Sequence, residues 1–183
     1  MTFNWIRLRQ PVFHVFFCFI AMVFTQCASS ESSEFIIWNG LIIDGSGGYA
    51  YRMDMGVKGS KIVAMGKLDT LNAKRVFDAT RSVVIPYVNA PKDSKTGTHQ
   101  DYLKRLLDTL TNKESIPLTT AVYSVLRSVN TGLPNKGLLT KGYDADFIIL
   151  EENAMNYNIP FKVPSINRIS VLAVIEGGKQ VYP

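Results

Sequence analysis

The spacing of apolar positions changes period twice along this chain, and those changes divide it. From Phe35 to Ile85 short β-branched runs, FIIW, LIID, DMGVK, KIVAMG, RVFDA and SVVIP, are separated by turn residues, the pattern of antiparallel strands. Asn39-Gly40, between the first two runs, is a strong hairpin signal, Gly59-Ser60 marks a second turn, and GSGG at 45–48 breaks the chain. No helix-length segment intervenes, so the spacing predicts meander strands rather than βαβ units.

The middle has a helical period. Leu103, Leu106, Leu107 and Leu110 share one helical face, and Thr98 followed by Asp101 resembles a capping box. A second helix is predicted from Leu118, Ala121, Val122, Val125, Leu126 and Val129, with Pro117 in its first turn and Gly132 beyond its end. The tail returns to strands: a turn at GYDAD, an apolar run from Phe147 to Leu150, a polar loop containing prolines, and a closing hairpin about Gly177-Gly178. The order strands, two helices, strands predicts a mainly β, α+β fold. In it the N- and C-terminal strands share one sheet system and the helices pack at one side.

The first 34 residues stand apart from this fold. Arg7 and Arg9 precede an apolar run, PVFHVFFCFIAMVF, at 11–24. That run is shorter than the roughly 20 residues of a spanning helix, which makes it a targeting segment. FTQC at 24–27 resembles the lipobox of bacterial lipoproteins, with Cys27 as the lipidated residue, although Gln26 stands where a small residue is favoured. Signal-peptidase cleavage after Ala28-Ser29-Ser30 fits the same stretch. Either outcome implies export, and lipidation adds a membrane anchor at Cys27. Cys18 and Cys27 are the two cysteines, so the folded body has no thiol for a disulfide or a nucleophile. Removing Arg7 and Arg9 from 20 basic residues leaves 18 against 15 acidic ones, a scattered excess of +3 that gives no reason to expect nucleic acid as a partner.

The ordered set of motifs resembles one family. FIIWNGLIIDGSGG, DMGVKGSKIVAMG and RVFDATRSVVIP are similar to the N-terminal strands of the amidohydrolase superfamily, and most of all to its N-acyl-D-amino-acid deacylase (D-aminoacylase) type. IPLTTAVYSVLRS resembles the last barrel helix of those enzymes, KGLLTKGYDADFIIL their return to the sandwich, and VLAVIEGGKQV their closing hairpin. The resemblance implies a composite β-sandwich built from both ends of the chain, and between them a (β/α)8 barrel carrying zinc. In the family the exit strand continues P-G-F-I-D-V-H-x-H, and the two histidines bind the metal. Laid on this chain from Pro86, the aspartate position holds Ala90 and the histidine positions hold Lys92 and Ser94. His99 is the single histidine outside the targeting segment, whereas catalytic zinc is held by three protein ligands, usually including histidine. About thirty residues separate Pro86 from Ile116, far fewer than a barrel of roughly 250 residues requires.

Other candidates for chemistry are weak. His99 suits proton transfer near neutral pH, but beside Thr98 it reads as a solvated residue at a helix start. Asp93, Asp101 and Ser124 form no catalytic motif with it. GSGG lacks a phosphate-binding context, and Asp144 and Asp146 read as turn-fixing residues. No catalytic and no metal-binding residue is therefore assigned.

The sequence is accordingly read as a signal peptide over 1–27, a polar tether over 28–34, the first half of the sandwich over 35–86, a bridge with two helices over 87–131, and the second half over 132–183. The expected protein is exported and barrel-less, without hydrolase activity as written and without a cofactor of its own. It would act as a binding or assembly module, with a homo-oligomer or a separate protein covering the face left by the missing barrel. The enzyme-class alternative is a part, or a deleted copy, of a zinc-dependent amidohydrolase that cleaves the C–N bond of N-acyl-D-amino acids.

Overall fold

A computed structural model of the chain describes residues 33–88, 98–112, 116–129, 134–151 and 170–183. These fall in one compact unit spanning residues 31–183. Cys27, Lys92, Asp93, Ser94 and Gly132 lie outside the described residues.

The fold is mainly β with two helices, a composite α+β sandwich. Its strands are β1 (Phe35–Ile42), β2 (Tyr51–Lys58), β3 (Lys61–Gly66), β4 (Arg75–Asp78), β5 (Ser82–Pro86), β6 (Phe147–Glu151), β7 (Val171–Glu176) and β8 (Lys179–Tyr182), and its helices are α1 (His99–Asn112) and α2 (Leu118–Ser128). They form a sheet in the order β3-β2-β1-β5-β6-β7-β8, with β4 added on β1. N- and C-terminal halves meet where β5 pairs antiparallel with β6, Ser82 facing Glu151 and Pro86 facing Phe147. The sheet curls until the start of β3 reaches the segment before β6. Ile62 N–H donates to the Tyr143 carbonyl at 2.9 Å and Ala145 N–H to the Ser60 carbonyl at 2.8 Å.

The Asn39-Gly40 pair does not make the expected hairpin. FIIWNGLI is one continuous strand, and the register on β2 slips by a residue between Ile37 and Gly40. Asn39 takes the left-handed conformation, with φ 53°, its N–H donates to Asp54 Oδ1 at 2.7 Å, and its side chain donates to Thr80 Oγ1. Asn-Gly serves a bulge as well as a turn: Asn39 tolerates the left-handed conformation, and Gly40 leaves room where a Cβ would crowd Val84, Ala79 and Ile37. This bulge has an architectural role. Before it β1 pairs with β4, and after it with β5, both in parallel. The expected meander therefore holds for β1-β2-β3 and fails for β4 and β5. Apolar alternation specifies faces but not strand direction, and residues 67–74 cross over β2 to bring β4 back parallel to β1, tied down by Leu68 N–H donating to Asp54 Oδ2.

Two cores follow from the two faces of the central strands. Phe35, Ile37, Met55, Val57, Ile62, Val84, Phe147, Ile149, Ala173 and Ile175 fill the sandwich interior. Val83, Ile85, Ile148, Leu150 and Val174, on the opposite face, pack with the two helices. All five residues of β5, and Phe147 to Leu150 of β6, are buried, which explains their unbroken apolar runs.

The helices form as their stripes predict, α1 with its expected cap and α2 with Pro117 as its N-cap residue rather than in its first turn. Thr98 Oγ1 accepts the Asp101 N–H at 3.2 Å, and Asp101 Oδ2 accepts the Thr98 N–H at 3.2 Å, a reciprocal capping box. In α1 the buried stripe is Tyr102, Leu106 and Leu110, with Leu103 packed at its edge, so Tyr102 rather than Leu107 completes it. In α2 Leu118, Ala121, Val122, Val125 and Leu126 are buried.

Candidate functional site

The face covered by the helices is where the resemblance would place the start of a barrel. The chain leaves β5 through Tyr87 and Val88, both buried. Tyr87 N–H continues the ladder by donating to the Asp146 carbonyl at 3.0 Å. Its ring meets Tyr102 of α1 edge-on, with centroids 5.6 Å apart, a favoured aromatic geometry. Burial pushes the Tyr87 phenol above its ordinary pKa, and its hydrogen bond to Glu176 and that carboxylate's charge push it further. Tyr102 is raised by burial. Its hydroxyl is buried and has no partner among the described residues. Two phenols held neutral among Val83, Ile85, Leu106 and Val122 make a packing surface, with the Glu176 carboxylate as the acceptor of the Tyr87 hydroxyl.

A network of charges lies at the same end of β6, just before its first residue. Asp146 is 5% exposed; Oδ1 accepts the Gly177 N–H at 2.6 Å, and Oδ2 is bonded to Lys136 Nζ. Asp144 pairs with Lys61 at 2.5 Å and with Lys136 at 3.3 Å. Burial would raise the Asp144 carboxyl, but the hydrogen bonds from Lys61 and Lys136 outweigh it and hold the group below the usual carboxylate range. Burial would likewise lower the Lys136 ammonium, and the Asp146 and Asp144 carboxylates reverse that and raise it. The network joins the β3 start, the turn before β6 and the β7–β8 turn. Gly177 and Gly178 have φ 54° and 74°, the conformation of a tight hairpin turn. Asp146 thus anchors that hairpin to the return strand, and the DAD motif fastens three segments together. Its carboxylates are occupied by lysines and amides, a poor donor set for a metal ion.

The remaining sequence candidates are dispersed. His99 begins α1 half-buried, its ring 5.8 Å from that of Tyr182. Asp101 is taken by its cap, which lowers its carboxyl through the Thr98 hydrogen bonds. Ser124 sits half-buried in α2. In GSGG, Ser46 N–H and Oγ both bond Asp44 Oδ1, at 2.9 and 2.6 Å. A Cβ on Gly45 would collide with Leu126, Pro86 and the Gly137 carbonyl, so that glycine lets the loop approach α2. Sequence reasoning missed Lys61 and Lys136 as the partners of the DAD motif. It also missed Asp54, 7% exposed, which holds the bulge and the β3–β4 crossover with its two oxygens. An isolated acidic residue inside an apolar strand was the signal available for it.

No protein-family model matches the chain. Over 56 residues, 31% of this chain and 12% of the relative, it is 39% identical to N-acyl-D-glutamate deacylase from Alcaligenes xylosoxydans xylosoxydans. The resemblance is to the D-aminoacylase type of amidohydrolase. Among solved structures, the N-acyl-D-glutamate deacylase of Bordetella bronchiseptica, complexed with zinc and a phosphonate inhibitor, is 30% identical; the match covers 43% of this chain and 17% of that one, with a TM-score of 0.32. A D-aminoacylase is 27% identical over 46% of this chain and 17% of its own, with a TM-score of 0.29. The chain thus spans less than a fifth of the length of these amidohydrolases.

The comparisons correct the expectation that no cofactor is involved. The Bordetella deacylase is complexed with zinc and D-aminoacylase has a binuclear metal center, so metal binding belongs to the proteins this chain resembles. Among the described residues no three His, Cys, Asp or Glu side chains are grouped to hold a metal ion.

Proposed function

We propose that the chain is the composite-sandwich portion of a D-aminoacylase-type amidohydrolase and works as a binding or assembly module, without hydrolysing N-acyl-D-amino acids on its own. The observation that carries this reading is the closed outer face of β5 and β6. At the point where the family would begin its barrel, Tyr102, Leu106 and Leu110 of α1 pack in one core with Tyr87, Ile85 and Leu150. The substitution of Lys92 and Ser94 for the motif histidines supports it. So does the length of the bridge, which cannot hold a barrel. Purified chain supplied with zinc and N-acyl-D-glutamate, with release of D-glutamate followed, tests the proposal. No release above the rate without protein is expected, and zinc-dependent turnover would overturn it.

The second reading, favoured by the 39% identity to N-acyl-D-glutamate deacylase, is that the chain is part of an active enzyme whose barrel comes from another polypeptide. Co-purification of a polypeptide carrying an H-x-H segment, with zinc-dependent activity in the joint fraction, would favour it. Export, with an anchor at Cys27, is the localisation we propose, supported by the apolar run at 11–24 and the FTQC motif. Intact mass of the protein from the membrane fraction reads lipidation directly, and a protein found only in the soluble fraction without added lipid would exclude it.

A further inference from the structure

Basic residues that the sequence scatters are gathered by the fold at one corner, where the chain enters β1. Glu34 marks it: Oε1 accepts a hydrogen bond from Lys74 Nζ at 3.1 Å, and Oε2 accepts the Gly59 N–H at 3.2 Å. The β2–β3 turn meets the β7–β8 turn here, so closely that a Cβ on Gly178 would collide with the Gly59 carbonyl. Gly142 N–H donates to the Ile62 carbonyl at 2.8 Å, which brings the segment before β6 to the same corner. Lys58, Lys141 and Lys179 flank these three contacts, and all are exposed.

The surplus is positive with every carboxylate of the corner counted. Lys61 and Lys136 balance Asp144 and Asp146, and Lys74 balances Glu34. Arg75 stays charged with its guanidinium 4.1 Å from the centre of the Phe35 ring, and Glu176 stays charged beside the Tyr87 hydroxyl. Lys58, Lys141 and Lys179 make no ion pair among the described residues. Asp101, whose charge also reaches Tyr87, has Lys104 and Arg105 beside it. Four cations against Glu176 leave a surplus of three, or of two with Glu31 of the tether included. The three lysines stand on three different turns, so an extended negative surface can meet all of them where a small anion would meet one. Cys27 lies seven residues before Glu34, a span of at most about 25 Å. A lipid on Cys27 therefore holds this corner near a bilayer however the rest of the body turns.

We propose that this corner is the membrane-facing surface of the anchored protein, resting through Lys58, Lys141 and Lys179 on the headgroups of anionic phospholipids. The anchor proposed at Cys27 supplies proximity, on which this reading rests, and the lysines supply orientation.

The test uses protein purified from the membrane fraction and mixed with vesicles of phosphatidylcholine alone or of an equimolar mixture with phosphatidylglycerol. Lysines are acetylated with an amine-reactive ester, and the rate at each is read by mass spectrometry. Lys58, Lys141 and Lys179 should react roughly fivefold more slowly on the anionic vesicles, the preference of a basic residue close to an anionic surface. Lys67, beyond the far end of β3, should react equally on both, and raised salt should abolish the difference. Equal rates for the three lysines on the two vesicles would overturn the proposal, and so would a slowing that Lys67 shares. Sedimentation with the phosphatidylcholine vesicles reads the anchor separately. Protein that stays in solution with them, yet shows the slowing on the anionic ones, would refute the anchor and leave the basic corner standing.

Discussion

At the scale of single residues, the two aromatic hydroxyls beneath α1 make opposite use of burial. Tyr87 has Glu176 for its hydroxyl, whereas Tyr102 carries a buried O–H with no partner among the described residues. An unmet buried donor costs about 1–3 kcal/mol, so Tyr102→Phe, which keeps the ring and its edge contact, should raise stability by about 1 kcal/mol, read as a higher urea midpoint at unchanged slope. A lower midpoint would mean that the hydroxyl is satisfied. Asp146 predicts the reverse. Its two oxygens tie Lys136 and Gly177, and Asp146→Ala removes both ties and leaves a half-buried ammonium facing Asp144 alone. A loss of about 3 kcal/mol is expected, at the low end for broken buried pairs because Lys136 keeps 26% of its side chain in water.

At the scale of elements, α1 decides whether the outer face of the sheet is closed. Leu106 is fully buried against it, and Leu106→Ala should cost about 2–5 kcal/mol. Thr98→Ala, which removes one half of the capping box, should cost about 1 kcal/mol. The two variants separate packing from capping. If α1 merely rests on the sheet, the leucine change will cost no more than the cap, as shown by paired denaturation curves. The same helix shows what is legible in a sequence. Its cap and most of its stripe, α2 and the Gly177-Gly178 hairpin were legible because capping residues, the 3.6-residue period and turn residues are local signals. The Asn39-Gly40 bulge was hidden because a bulge and a turn both draw on the tolerance of Asn39 for the left-handed conformation. The parallel pairing of β4 and β5 with β1 was hidden because strand direction depends on a crossover anchored by Asp54, 14 residues before Leu68. The lysine partners of the DAD motif were hidden for the same reason, since Lys61 meets Asp144 only once the sheet has curled.

At the scale of the whole molecule, that curl is closed by charge, and its pH dependence can be worked out. Asp144 is lowered in the folded state. Its contribution is therefore complete above the unfolded carboxyl value of about 3.9 and is lost as pH falls through the lower folded value. Lys136 is raised, so its contribution is complete below about 10.4 and is lost as pH rises through the higher folded value. Tyr87 and Tyr102, also raised, add to the alkaline loss from about pH 10 upward, where the unfolded phenols ionise and the folded ones stay neutral. Glu34, Asp78 and Asp101 are lowered as well, through hydrogen bonds near solvent that weigh less. The chain should thus be most stable on a plateau from about pH 5 to 9. Lys136→Met removes one of the two lysines on Asp144 and the whole lysine part of the alkaline limb, while leaving the tyrosine part. In urea midpoints measured from pH 2 to 11, the variant should show a shallower acid limb and a smaller alkaline loss than the parent. An acid limb of equal depth in both proteins would mean that the junction between the two halves of the sandwich is held by its backbone ladder and apolar core, with the lysine network adding nothing to it.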